Sequence, residues 1–206
     1  MPGTPPLGPA ALPRALILLL LVLVAVAAAL ALGPARAAAA ACPGAAQPLG
    51  AASAAAVEGA VLCLVNDERA ARGLAPVRRD GALEAVAQRH AADMVARGYF
   101  AHVSPSGGTV DKRARRAGYL TAPCWALGED LARAPAAAAS GEAVVAAWMA
   151  SPGHRSVILD PDFGEGGIGL VPPAPGGDGD GATFVLELGA MVPCAGGTPR
   201  ARVRAS

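Results

Sequence analysis

Apolar positions along the chain change rhythm from helical spacing to strand-like runs. Val57, Val61, Leu64, Val65 and Glu68 recur at helical spacing and the run stops at Gly73, so the pattern predicts a helix ending there. A second helix is predicted after Asp80, a suitable N-cap, with Leu83, Ala87, His90, Ala91 and Met94 on one face and Gly98 as its stop. Shorter helices fit Thr109 to Ala117 and Ser140 to Ala150, the latter burying Val144, Val145, Trp148 and Met149. Two apolar runs then follow, Gly167 to Val171 and Thr183 to Leu188, separated by the turn-forming PPAPGGDGDG, which is a hairpin pattern. Helices first and strands last predict an α+β domain with helices covering an antiparallel sheet.

Upstream of this pattern the chain is apolar without period. Ala15 to Leu32 is an unbroken apolar run behind Arg14, followed by Ala35-Arg36-Ala37, which has the form of a signal-peptide cleavage site. The competing reading is an uncleaved anchor, because the run approaches the roughly 20 residues that span a bilayer. The expected organisation is a signal peptide or anchor over 1–37, an Ala/Gly/Pro-rich tether over 38–56, a domain over 57–193 and a tail over 194–206. Either way the domain is expected to be secreted or envelope-associated, and to meet a membrane only through its N-terminal segment.

Composition tempers the apolar content. The chain has 206 residues, 53% of them apolar but only 3% aromatic, and 52 are alanine, which buries little area per residue. Much of that apolar fraction lies in the leader and the tether, leaving a small core for crosslinks to assist. The four cysteines, Cys42, Cys63, Cys124 and Cys194, all follow the leader, where an oxidising compartment would let them pair. Of three possible connectivities we favour Cys42 with Cys63 and Cys124 with Cys194. The first staples the start of the mature chain to a helix, and the second ties the C-terminal region to a mid-chain loop.

A net charge of +1 gives no electrostatic reason to expect a nucleic-acid partner. The basic stretch Lys112-Arg113-Ala114-Arg115-Arg116 reads as a solvated helix face. Counting from Gly176, residues Asp178, Asp180, Gly181 and Glu187 fall at calcium-loop positions, but glycine opens the pattern and proline-rich sequence replaces the entering helix, so a turn explains them. Histidine is confined to His90, His102 and His154. His90 sits on the apolar stripe of the second helix and reads as a hydrogen-bonded histidine at the core margin. His102 follows the Gly98 stop, His154 follows a Ser-Pro-Gly turn, and Glu129 lies in a segment that reads as a loop.

The order of motifs resembles a known family. Asn66-Asp67-Glu68-Arg69, the helix Ala87 to Met94, Gly98-Tyr99-Phe100-Ala101-His102, Ala117-Gly118-Tyr119, Gly128-Glu129-Asp130-Leu131, Trp148 to Arg155 and Gly167-Ile168-Gly169 resemble the bacterial SCP/CAP domain. That superfamily includes cysteine-rich secretory, antigen 5 and plant pathogenesis-related proteins. The resemblance covers Val57 to Val192 and implies a three-layer α-β-α sandwich with an open cleft of histidines and acidic side chains. Carried over by motif, His102, Glu129 and His154 become the cleft residues. Asp130 departs from the Asn expected beside Glu129, and Phe184-Val185-Leu186-Glu187-Leu188 departs from the family's aromatic-Thr-Gln-x-Phe strand.

The function expected from this is an extracellular binding module with a His/Glu cleft; the resemblance implies lipid or another envelope component as a class of ligand, and the residues themselves do not single one out. Two alternatives follow. Two imidazoles and a carboxylate could hold a divalent cation, zinc or calcium, in a metal-dependent hydrolase, although no compact ligand motif such as HExxH is present. The cleft could instead be vestigial in a structural surface protein. Ser104 and Ser151 lie near the histidines in sequence, where serines beside prolines are ordinary.

Overall fold

The computed structural model describes residues 42–173, 181–194 and 201–206. The chain divides into Met1–Ala38 and Ala39–Ser206, and every described residue belongs to the second unit. The leader and the residues Gly176, Asp178 and Asp180 of the near-match to a calcium loop lie outside the described residues. No helix among the described residues is long and apolar enough to cross a membrane.

Five helices and five strands are present among the described residues: α1 Ala54–Ala70, β1 Arg78–Arg79, α2 Gly81–Arg97, α3 Val110–Arg116, β2 Trp125–Pro135, α4 Gly141–Ala150, α5 Pro152–Ile158, β3 Glu165–Val171, β4 Gly181–Met191 and β5 Ala201–Ala205. The sheet order is β1-β3-β4-β2-β5. Its three central strands are antiparallel, while β1 joins β3 and β5 joins β2 in parallel, so the sheet is mixed where the sequence pattern predicts an antiparallel one. The parallel edges arise because both outer strands reach the sheet by long connections instead of hairpins. Helix α2 covers one face of the sheet, and α1, α4 and α5 lie on the other, giving the α-β-α sandwich.

Helix ends follow their caps. The Asp80 carboxylate accepts from the backbone N–H of Ala82 and Leu83 at 2.9 Å, and Gly98 ends α2 in the left-handed region at φ 67°. Helix α1 starts at Ala54, earlier than Val57, because the Ser53 hydroxyl accepts from the N–H of Ala56. The segment before it, within the expected tether, folds onto the domain. Cys42 and Ala45 are buried, the Leu49 N–H donates to the Ala139 carbonyl at 2.9 Å, and the Glu142 N–H donates to the Ala45 carbonyl at 2.9 Å. The Ser-Pro-Gly segment is not only a turn: Pro152 opens α5, where its missing N–H costs nothing.

Two glycines set how closely α2 lies on the sheet. A Cβ at Gly167 would stand 2.2 Å from the Glu84 nitrogen, and one at Gly169 would stand 2.3 Å from the Gln88 nitrogen. The helix backbone therefore rests directly on β3. On the other side the core runs through Val57, Val61, Trp148, Ile158, Phe163, Phe184 and Leu186. Arg69, fully buried, closes that layer by donating to the carbonyls of Ala75, Ile158, Asp160 and Phe163 at 2.7–2.9 Å. Both expected disulfides are present, Cys42–Cys63 and Cys124–Cys194.

Candidate functional site

The site is built on β2, a segment whose sequence reads as a loop. The strand is covered on both faces, so it lacks the polar alternation of a half-exposed strand. Glu129 points toward the α2 layer and Asp130, one residue on, toward the other. Gly128 lets the strand pass Phe163, since a Cβ there would stand 2.7 Å from the ring.

His102 reaches Glu129 from the loop after α2, where a tight turn is held by Ser104: its Oγ accepts from the Gly108 N–H at 2.9 Å. The His102 Nδ1 lies 2.6 Å from Glu129 Oε1. The guanidinium of Arg113 in α3 donates to Glu129 Oε2 and also to the carbonyls of His102 and Gly108, at 3.0 and 2.8 Å. One arginine thus ties the loop to the strand. His90 places Nε2 3.1 Å from the Ala101 carbonyl, so that nitrogen carries the proton, and 3.8 Å from Glu129 Oε2. His90 is therefore the hydrogen-bonded core histidine that its position on α2 implies. Glu187 pairs directly across the ladder from Glu129, with Oε1 3.8 Å from Arg113.

These surroundings fix the charges. Burial alone would raise the pKa of Glu129, but the His102 hydrogen bond and the Arg113 charge outweigh it and hold the carboxyl below its ordinary value. Glu187 behaves oppositely. Neither of its oxygens meets a donor among the described residues, and burial, then the adjacent Glu129 charge, raise its pKa well above the ordinary value. The pair therefore carries one negative charge, placed on Glu129 by its partners. His90 is pushed toward the neutral form, chiefly by burial.

His154, on α5, is within electrostatic reach of His102 but has no hydrogen bond to it or to Glu129. Its Nδ1 is buried without a partner, and burial followed by the His102 charge lowers its pKa. Among the described residues, the single place where three candidate ligand groups come within 4.8 Å of one another is Cys42, Cys63 and Asp67, whose sulfurs are bonded to each other. His102, Glu129 and His154 do not form such a set, and Arg113 already supplies the cation that Glu129 requires. The donor set does not fit a resident zinc or calcium ion.

Arg113 and Glu187 are members of the Glu129 cluster that the sequence pattern does not reveal. Arg113 belongs to the basic stretch that reads as a solvated face, and Lys112, Arg115 and Arg116 are indeed exposed. Its spacing from Val110 is the available signal. Val110 and Ala114 are the buried positions of α3, and a residue three after Val110 lies on that same inner face.

Comparison with known proteins agrees with this architecture. The model of the cysteine-rich secretory protein family (CAP) matches residues 62–187, more than half of the chain. The chain belongs to that family. It is 38% identical over 121 residues to YkwD and 33% identical over 110 residues to the membrane protein YlbC, both of Bacillus subtilis (strain 168). These matches span 58% and 53% of this chain, but only 44% and 30% of those proteins. Among solved structures, an extracellular SCP-domain protein of Bacillus anthracis str. Ames aligns with TM-score 0.50 at 28% identity, over 61% of this chain and 38% of that one. An outer surface protein of Borrelia burgdorferi shares the fold, with TM-score 0.53 at 20% identity over 64% of this chain and 90% of that one.

Proposed function

We propose that this chain is an extracellular binding module, secreted or held at the envelope by its N-terminal segment, whose cleft at His102, Glu129 and His154 receives a lipid or other envelope component. One observation carries the reading. Glu129, itself buried, has one oxygen held by His102 and the other by Arg113, which fixes the partly exposed His102 imidazole in place with no nucleophile hydrogen-bonded to it among the described residues. The extracellular and outer-surface relatives support the location. A hydrolase is the second reading because the 2.6 Å His102–Glu129 bond is the base-and-orienter half of a catalytic triad, with water as the nucleophile it would activate.

Co-sedimentation of the full chain with phosphatidylglycerol vesicles and with isolated cell-wall polymer tests the two together, while soluble products are followed. Saturable binding that weakens at least about fivefold, or roughly 1 kcal/mol, in His102→Ala without product release supports the binding module. Product release that disappears in His102→Ala overturns it in favour of the hydrolase. Binding unchanged when His102, Glu129 and His154 are all replaced by alanine overturns it in favour of a structural surface protein with a vestigial cleft.

A further inference from the structure

Beside the Glu129 cluster, but not including His102, Glu129 or His154, a pocket of about 290 Å³ opens between α2 and α3. Helix α2 supplies one wall through Val86, Arg89, His90, Asp93 and Arg97, which share a helix face. The Ser104–Gly108 turn supplies Ser104, Ser106 and Gly108, and α3 supplies Arg113 and Arg116. Val86, His90 and Ser104 are buried and form the floor, while Arg89, Arg97 and Arg116 stand exposed at the mouth.

The lining holds four arginines against one aspartate. Two of the arginines are matched. Arg113 is spent on Glu129, and Arg97 lies 3.5 Å from Asp93, whose carboxylate also accepts from the Tyr99 hydroxyl at 2.5 Å. Arg89 and Arg116 have no hydrogen-bond or ion-pair partner among the described residues. Two unmatched arginines, one from each helix, thus line one pocket in a chain whose net charge is only +1. An oxyanion bound between these walls would be matched by both charges. Guanidinium forks match phosphate in a bidentate geometry, and a partly enclosed pocket strengthens that attraction.

We infer that this pocket binds a phosphate group, with Arg89 and Arg116 as the recognising forks and the Ser106 hydroxyl as a further donor. The volume is just below the roughly 300–1,000 Å³ usual for small-ligand sites. It suits a phosphate ester with a short polar substituent, so a phospholipid would enter by its head group alone. The site goes beyond the cleft proposed above, because substitutions at Arg89 and Arg116 leave His102, Glu129 and His154 in place.

The test uses the full chain, with inorganic phosphate and glycerol 3-phosphate as soluble probes and phosphatidylglycerol vesicles as the membrane probe. Saturable binding of at least one probe is expected, weakened about tenfold or more by Arg89→Ala combined with Arg116→Ala. Arg72→Ala, which removes an exposed arginine of α1's C-terminal side, should leave it unchanged. Loss of soluble-probe binding in the double variant identifies a free phosphate ester as the ligand chemistry. Loss confined to vesicles identifies a lipid head group, and either result supports the pocket. Because Arg89 and Arg116 are exposed and unpartnered, the double variant should melt like the wild type. Absence of saturable binding to every probe, or affinity within twofold of wild type in the double variant, overturns the inference. Binding lost in His102→Ala and kept in the double variant overturns it too, and assigns the anion to the cleft.

Discussion

Glu129 and Asp130 are adjacent carboxylates on one strand, equally buried, and they are held in opposite states. Glu129 faces the α2 layer, where His102 and Arg113 bind both of its oxygens and keep it ionised. Asp130 faces the opposite layer, which meets β2 through α4 and α5. Neither of its oxygens has a partner among the described residues, and burial, then the Glu129 charge, push its pKa up to about 9. Burial is common to both, so it is the supply of donors that decides which carboxylate keeps its charge. One face of the strand is thereby a polar site and the other an apolar core containing a neutral acid.

Removing the donor is the most damaging way to break this contrast. Arg113→Met would leave the Glu129 charge in a dry interior with His102 alone, and loss of one partner from a buried ion pair costs about 3–5 kcal/mol. Urea unfolding of this variant against wild type measures that loss. A cost below about 1 kcal/mol would mean that Glu129 is not ionised in the folded protein. The next largest effect comes from releasing the strand that carries both residues. Cys124 immediately precedes β2, and its bridge to Cys194 closes 70 residues of chain against 21 for Cys42–Cys63. Loop closure gives about 4.4 and about 3.4 kcal/mol as ceilings, with about 2–4 kcal/mol typical in practice. Replacing Cys124 and Cys194 by alanine should therefore lower the melting temperature more than replacing Cys42 and Cys63. An equal or smaller loss would show that the ladder between β2 and β4 holds the strand without the bridge.

The contrast also marks how far the sequence can be read. Helices α2, α3 and α4 are legible because caps and apolar spacing coincide, as at Asp80 and Gly98. The β3–β4 hairpin is legible because its apolar runs are bounded by turn-formers. Strand β2 is not, because Gly128, Glu129 and Asp130 interrupt its apolar character and it lies between two helical layers. Helix α5 is hidden by a Ser-Pro-Gly segment that reads equally as a turn. His102 and Glu129 come together only through family resemblance, since no local spacing links a residue after α2 to one in β2. Arg113 and Glu187 escape because each carries its role only in three dimensions: one turns inward from a basic helix, the other lies across a ladder from Glu129.

The smallest effect isolates Asp130 and depends on pH. Its folded pKa of about 9 lies above the ordinary aspartate value of 3.8, so folding favours the protonated form. The stability contributed by that proton is fully present below about pH 4 and is lost progressively as pH rises toward 9. Glu187, raised in the same direction, adds to the loss, while the lowered pKa values of His90 and His154 act oppositely below neutral pH. The absolute melting curve therefore mixes several groups, and the comparison that isolates one is Asp130→Asn against wild type. The amide keeps the shape and the donor of the protonated acid but does not titrate. Near pH 4 the two proteins should differ little, and by pH 8.5 the variant should be the more stable, because only the wild type loses stability as its unfolded chain gives up the Asp130 proton that the fold retains. Melting temperatures across that range read the difference directly. Parallel curves would show that Asp130 is already ionised in the fold, and that the two faces of β2 do not differ in charge.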